Sequence, residues 1–448
     1  MHANTFISGV YGTLRGYSRL PIRRRVARAE CLGAEELARR CREGFVRRVR
    51  RALARFPSYA HFVEEHAGAI PTPDAAIDPA ALPVWTRQAQ REFFAAQTPP
   101  PDSAYVHQTS GSTSLPVRFH VTRESYEWRT AVMDRSYSWA GAEEGRRSIH
   151  IWAAPSAAAS RSEHVKRAVH RMLQRRVYFD AFRAFGDDEF RACCRLIDAF
   201  RPETVVGYTG LVVDLARFVR DHPGALHHRP HAMVSAAEGL EAGQRDLLRT
   251  VLFDDVFLSY GSREFMNIGM ECAHHTGYHL VSDNLYVEVV DDDGVPVEPG
   301  RTGRVVITDL HNDAAPFIRY EIGDLATMAP SDERCPCGRP FPLLRSVDGR
   351  RQDMVVRADG SRVTALYVTF AMRQFDWVEG WQVLQHAPGK ITVRLLASSE
   401  PTPGQTAPLE SLLREHIGAD AYIRFERVRS LERRATGKVA LVIDRPQP

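Results

Sequence analysis

At 448 residues, 44% hydrophobic and 25% charged, the chain is long enough for two or three domains and for a core that needs no disulfide or metal to hold it. No apolar run approaches the roughly 18–20 residues of a membrane span, and the opening residues show no secretory pattern; a membrane-spanning protein, a secreted mini-scaffold and a disordered chain are therefore not expected. A formal charge of +4 does not single out nucleic acid as a partner, and seven cysteines, an odd number spread through a long chain, fit a reducing, cytoplasmic setting better than a disulfide framework.

In chain order, residues 1–70 read as a helical, basic lead-in. Over 34–53 apolar residues recur at helical spacing among many arginines, the pattern of a solvated helix face or of a site for an anionic partner. A proline-rich connection (70–83) leads to a short helix (88–96), a short strand (104–108) and a Ser/Thr/Gly cluster. From there to about residue 325, β-rich runs at 148–152, 204–207, 232–235 and 255–259 alternate with helical stretches at 161–175, 187–200, 211–221 and 242–252. Such alternation indicates βαβ units and an α/β sheet. After Tyr278 the texture becomes that of antiparallel strands joined by turns at Asp293-Gly294 and Pro299-Gly300. The expected fold class is α/β: a large N-terminal body (1–348) of α/β sheets plus a β-rich subdomain, and a small α+β C-terminal domain (349–448).

Thr109-Ser110-Gly111-Ser112-Thr113-Ser114-Leu115-Pro116 follows a strand. Hydroxyls and a glycine in a tight turn can aim N–H and O–H groups at phosphate oxygens. The Gly-Lys-Ser/Thr step of a Walker loop is missing, and alone such a loop is as readily structural. Further on come Ala237-Glu238-Gly239, Tyr260-Gly261-Ser262-Arg263-Glu264, Thr308-Asp309-Leu310, the run from Pro316 through Arg319 and Tyr320 to Gly323-Asp324, Gly349-Arg350, and Thr436-Gly437-Lys438. In this order and spacing the set resembles the adenylate-forming superfamily of acyl-CoA synthetases, most closely its phenylacetate–CoA ligase-like branch. The similarity runs from about Leu82 to the C-terminus, and residues 302–324 are its most specific part.

The resemblance implies an enzyme that transfers AMP from ATP to a carboxylate and hands the activated acyl group to a thiol, that of CoA or of a carrier-protein phosphopantetheine. It assigns the β- and γ-phosphates to Thr109, Ser110, Gly111, Ser112 and Thr113. Tyr260 flanks the adenine, with Ala237, Glu238, Gly261 and Ser262 on nucleotide-binding segments. Glu264 ligates Mg²⁺, as a hard cation bridged to phosphates requires; Asp324 holds the ribose, and Arg350 the ribose or a phosphate at a domain hinge (350–353). Lys438 enters the site during adenylation to bridge carboxylate and α-phosphate. It is one of only three lysines, with Lys166 and Lys390. Two positions depart from the family pattern. Ser114-Leu115-Pro116 lacks the loop lysine of many relatives, and Arg263 stands where a Thr or Ser is usual, either to clamp the α-phosphate, to pair with a nearby carboxylate, or as the mark of an altered adenylation site.

Cys272, followed by His274, His275 and His279, and the later Cys335-Pro336-Cys337-Gly338 form a spacing that can share one tetrahedral metal ion. The resemblance favours His279 as the fourth ligand of a structural Zn²⁺. Cys193-Cys194 reads as helix core. Segments that border the acyl group in the family carry His150, Trp152, Tyr208, Ser235 and Ala236 here, which suits an aromatic or small amino-acid-like carboxylic acid better than a long fatty acid. Three functions stay open at this point: an acid–thiol ligase, an adenylating ligase with an amine acceptor, and a non-catalytic zinc-stapled homologue. A homodimer is neither required nor excluded, and no membrane or nucleic-acid partner is expected.

Overall fold

The structure, a computed structural model, describes the chain except residues 1–18, 73–75, 98–103, 110–116, 153–173, 182–185, 237–238, 241–242, 331, 349–353, 361, 373, 376, 433–440 and 445–448. Helices α1 (Arg19–Ala29), α2 (Ala34–Arg55) and α3 (Pro57–Ala67) are followed by α4 (Arg87–Ala96). A hairpin of β1 (Ala104–Gln108) and β2 (Arg118–Thr122) leads into α5 (Arg123–Ser138). Strands β3 (Ser148–Trp152), β4 (Arg176–Asp180), β5 (Thr204–Tyr208), β6 (Ala232–Ala236) and β7 (Asp255–Ser262) are interleaved with α6 (Asp187–Phe200), α7 (Thr209–Asp221) and α8 (Gln244–Val251). Then come β8 (Met266–Met270), β9 (Tyr278–Leu280), β10 (Leu285–Val290), β11 (Thr302–Asp309), β12 (Tyr320–Met328) and β13 (Leu343–Asp348).

Among the described residues these strands form one eleven-stranded sheet, ordered β10-β11-β12-β13-β9-β8-β7-β6-β5-β3-β4. Pairing is parallel from β4 to the first half of β7 and antiparallel from the second half of β7 onward. The parallel part buries both faces, as its apolar runs require: Val205, Ile149 and Val212 pack in a core on one face, and Val206, Val234 and Phe257 in a smaller one on the other. The remaining strands are β14 (Met354–Val356), β15 (Arg362–Thr364), β16 (Gly380–Ala387), β17 (Lys390–Leu396), β18 (Tyr422–Val428) and β19 (Val442–Asp444), with helices α9 (Ala365–Met372) and α10 (Pro403–Ile417). They share a separate apolar cluster around Val383, Val393, Leu409 and Leu413.

The expected βαβ alternation and the antiparallel strands after Tyr278 are present, and both foreseen turn glycines, Gly294 and Gly300, have positive φ. The helix expected over 161–175 lies almost wholly outside the described residues. Strand β4 had no counterpart in the sequence reading; its residues are all only half-buried, as befits an edge strand, so Arg-Val-Tyr-Phe-Asp carries no clear alternation. Cys193 and Cys194 are core residues, 1% and 0% exposed.

Arg319 fixes the position of β12. It is 1% exposed, sits at φ +48°, and its backbone N–H donates to Thr308 Oγ1 at 2.9 Å. Its guanidinium donates to Glu288 Oε2 (3.2 Å), to the Gly294 carbonyl (2.6 Å) and to the Leu82 carbonyl. One side chain thus ties β12 to β10, to the 291–300 turns and to the segment before α4. Trp85 continues this tie by pairing with β12: its N–H donates to Arg319 O, and Glu321 N–H to Trp85 O. Arg319→Met leaves Glu288 buried without a counter-charge and strips three acceptors, so urea unfolding is expected to show a loss of about 3–5 kcal/mol; a loss below about 1 kcal/mol, the range of a surface pair, contradicts this role.

Candidate active site and metal centre

Of the nucleotide residues foreseen in the sequence, Tyr260, Gly261, Ser262 and Glu264 lie where β7 changes partner. Its first half pairs with β6 and its second half turns into a tight hairpin with β8. Gly261 is required there, since a Cβ would lie 2.1 Å from Met266 O, and Met266 itself takes a positive φ of 61°. Ser262 Oγ accepts from Phe265 N–H at 3.2 Å and closes the turn. This places Glu264 inward, 3% exposed, and leaves Arg263 exposed, with no ion pair among the described residues. The expected alternative of Arg263 paired to a neighbouring carboxylate is therefore not what the described residues present.

Asp324 arrives from β12. Opposite β11 the register slips between Arg304 and Val306, and the extra residues, with Gly323 at φ +83°, form a bulge. Tyr260 Oη donates to Asp324 Oδ2 at 3.1 Å, and Tyr320 Oη to Glu264 Oε1 at 3.3 Å. Two tyrosines thus tie the hairpin to β12 and its bulge, each through a carboxylate. Thr109 marks the neck of the Ser/Thr/Gly loop: its N–H donates to Val117 O and its Oγ1 accepts from Val117 N–H, both at 2.9 Å. Ser110, Gly111, Ser112, Thr113, Ala237, Glu238, Arg350 and Lys438 lie outside the described residues.

The foreseen acyl-pocket residues fall at the ends of the parallel strands. From β3 the chain steps to β4 on one side and to β5 on the other, so the β3/β5 boundary is a topological switch point, where open α/β sheets form their crevice. Trp152 and Tyr208 end these two strands and stack at 4.2 Å and 11°. Ser235 is fully buried and shares a 2.5 Å hydroxyl contact with Thr209; Ala236 is 6% exposed at the end of β6. His150 lies one β-repeat deeper, with Nε2 buried and without a hydrogen-bond partner. Burial, helped by Arg176, holds it well below the usual histidine range, so it is a neutral imidazole.

Cys272, His279, Cys335 and Cys337 converge, with one ligand atom from each lying within 4.8 Å of all the others. Cys272 Sγ is 3.5 Å from Cys335 Sγ, and Cys337 Sγ is 3.3 Å from His279 Nε2. Tetrahedral bonds of about 2.3 Å to sulfur need S···S edges near 3.7 Å, so the set fits one four-coordinate ion and leaves no open position. Gly338 (φ +74°) closes the turn by donating its N–H to Cys335 O at 3.1 Å. Burial, with Arg339 nearby, pushes His279 down to about 4, the neutral form that ligates. For Cys335, burial is outweighed by hydrogen bonds from Thr276 and the Cys337 backbone, and its thiol is lowered. His274 is not in the cluster. His275 instead bonds Asp255 (3.0 Å) and Glu271 (3.1 Å) beside Arg245.

The family description "CapK C-terminal domain" matches residues 355–445. A phenylacetate–coenzyme A ligase of Thermus thermophilus is 27% identical over 73% of this chain and 73% of its own length. Protein CapK of Staphylococcus aureus is 21% identical over 75% of this chain and 73% of its own. A crystal structure of a 2-hydroxyisobutyryl-CoA ligase, in complex with 2-HIB-AMP and CoA, superposes with a TM-score of 0.62 over 94% of this chain and 92% of that one, at 21% identity, a likeness that establishes the fold. These matches bear out the resemblance to the adenylate-forming acyl-CoA ligase superfamily, and to its phenylacetate–CoA ligase-like branch in particular.

Hydrogen bonds donated to Asp255, then to Glu271, push His275 up to about 9. A raised folded-state value means that its charged-form stabilisation is complete below the unfolded value near 6.5 and is lost as pH rises through about 9. His275→Gln is therefore expected to lower the melting temperature clearly at pH 6 and hardly at pH 10; an equal loss at both pH values contradicts the charged network.

Proposed function

We propose that the protein activates a carboxylic acid with ATP and passes the acyl group to a thiol, that of CoA or of a carrier-protein phosphopantetheine. The observation that carries this reading is the junction of the β7–β8 hairpin with the β12 bulge. There Tyr260 bonds Asp324 and Glu264 is buried, which supports a site where Tyr260 would flank the adenine, Asp324 accept from the ribose and Glu264 ligate a hard cation. In the first step a carboxylate oxygen bonds the α-phosphorus while the bond to pyrophosphate breaks. In the second, the thiolate adds to the acyl carbon, and AMP leaves with the electron pair of the C–O bond.

Asp324 receives the ribose hydroxyls, the neck at Thr109 and Val117 holds the hydroxyl loop (Thr109–Thr113) against the phosphates, and exposed Arg263 faces the α-phosphate. Glu264 would ligate Mg²⁺, which supplies charge neutralisation of the triphosphate when bound. Lys438 bridges the carboxylate and the α-phosphate as charge crowds there. Its compact ammonium on a flexible stem suits that role, and rotation of residues 349–448 about 350–353 then withdraws it and admits the thiol. The aromatic wall of Trp152 and Tyr208 favours an aromatic or small amino-acid-like acid. The Cys272, His279, Cys335 and Cys337 set holds a structural Zn²⁺ apart from the chemistry.

Pyrophosphate release over a panel of carboxylic acids, with and without CoA, tests the reading: release must depend on the acid. Glu264→Ala and Lys438→Ala are each expected to cut adenylation by at least about a hundredfold, the loss typical of one preorganised charge-stabilising group. Lys438→Ala should spare transfer from supplied acyl-AMP. No acid-dependent release from protein that binds ATP would instead indicate a non-catalytic homologue. For the metal, elemental analysis is expected to return about one zinc per chain, and Cys335→Ser to lower thermal stability more than ATP affinity, because metal binding is linked to folding. Metal-free protein of unchanged stability contradicts the zinc site.

A further inference from the structure

Arg87 opens α4, whose N-terminus is capped by Thr86 Oγ1 accepting from Ala89 N–H at 3.1 Å. The Trp85–β12 pairing two residues earlier brings it alongside the bulge. Its Nη2 donates to Ile322 O at 2.7 Å, the first residue of the Ile322-Gly323-Asp324 bulge, and lies 3.9 Å from Glu264 Oε1. The side chain is only 22% exposed, and Nε is buried without a hydrogen-bond partner. The same guanidinium therefore touches the backbone that presents Asp324 and sits beside the carboxylate of Glu264.

The charge balance makes this contact consequential. Glu264 is 3% exposed, and an ionised carboxylate so far from water needs a compensating cation. Tyr320 offers a neutral hydroxyl, and Arg263 on the same turn is exposed. The 109–116 loop contains no Lys or Arg. Among the described residues, Arg87 is the buried-side cation that remains. At 3.9 Å it faces the carboxylate without bonding it, so Glu264 has a cation beside it yet no direct guanidinium hydrogen bond for an arriving metal ion to break.

Resting on the function proposed above, the geometry points to Arg87 as a positioning residue for the nucleotide: it sets the Glu264 carboxylate and the Asp324 bulge in one arrangement before Mg·ATP binds. Calorimetry of ATP binding, with Mg²⁺ and with EDTA, on wild-type protein, Arg87→Gln and Arg87→Lys tests it without reference to turnover. In wild-type protein Mg²⁺ should strengthen ATP binding. Arg87→Gln should reduce that strengthening by at least about tenfold, the weight of one charge-assisted contact. Arg87→Lys, which keeps a cation beside Glu264, should recover part of it and melt closer to wild type than Arg87→Gln. Arg87→Gln that binds Mg·ATP as tightly as wild type overturns the inference. So does equal loss in both variants with a large drop in melting temperature, the signature of a mere clip in the fold. Wild-type protein that binds ATP with this arginine dependence but shows no acid-dependent pyrophosphate release leaves the positioning role standing and refutes only the ligase. Wild-type protein that binds no ATP refutes both.

Discussion

A single buried guanidinium in a left-handed backbone conformation holds the site's two halves in register. Arg319 is costly on both counts, since a non-glycine residue at positive φ is strained and a buried cation must be fully satisfied. It persists because Glu288, Leu82 O and Gly294 O surround it. Everything on β12 downstream of it inherits its position: Tyr320, which bonds Glu264, and the bulge that presents Asp324. The segment carrying Arg87 is tied to the same strand through Trp85. Disturbing Arg319 therefore disturbs stability and nucleotide geometry together.

The second constraint is topological. Because β7 is parallel to β6 and antiparallel to β8, one strand delivers residues both to the crevice at the parallel strand ends and to the hairpin that presents Glu264. The proposed acyl pocket at the β3/β5 switch point and the proposed nucleotide residues on β7 and β12 are thus parts of one continuous sheet. Strands carry Trp152, Tyr208 and Tyr260, while a tight turn between β7 and β8 carries Glu264 and a bulge in β12 carries Asp324, an arrangement suited to a reaction in which two substrates must meet in line.

Motifs whose chemistry depends on local sequence were legible. Tyr260 through Glu264, Gly323-Asp324 and the Cys335-Pro336-Cys337-Gly338 turn each carry a glycine that the backbone requires at Gly261, Gly323 and Gly338, so residue type and geometry agree. The choice of Cys272, His279, Cys335 and Cys337 also matches the convergence of their ligand atoms. Contacts made across long separations were not legible. Nothing around Arg87 in Val84-Trp85-Thr86-Arg87 marks it as a neighbour of Glu264, because that contact is created by a two-residue bridge to β12. Arg319 lay inside the most specific block, yet its three buried acceptors come from 31, 25 and 237 positions away. His275, one of three adjacent candidates for the metal, turned out to serve Asp255 and Glu271.

The central claim is that hairpin and bulge together form one nucleotide site. Structure determination of the protein with Mg²⁺ and a non-hydrolysable ATP analogue tests it most directly. The account requires the ribose hydroxyls on the Asp324 carboxylate, the adenine beside Tyr260, and a metal ion at about 2.1 Å from a Glu264 oxygen. A nucleotide bound elsewhere, or a metal ion held by phosphates alone with Glu264 still turned toward Tyr320 and Arg87, would contradict it.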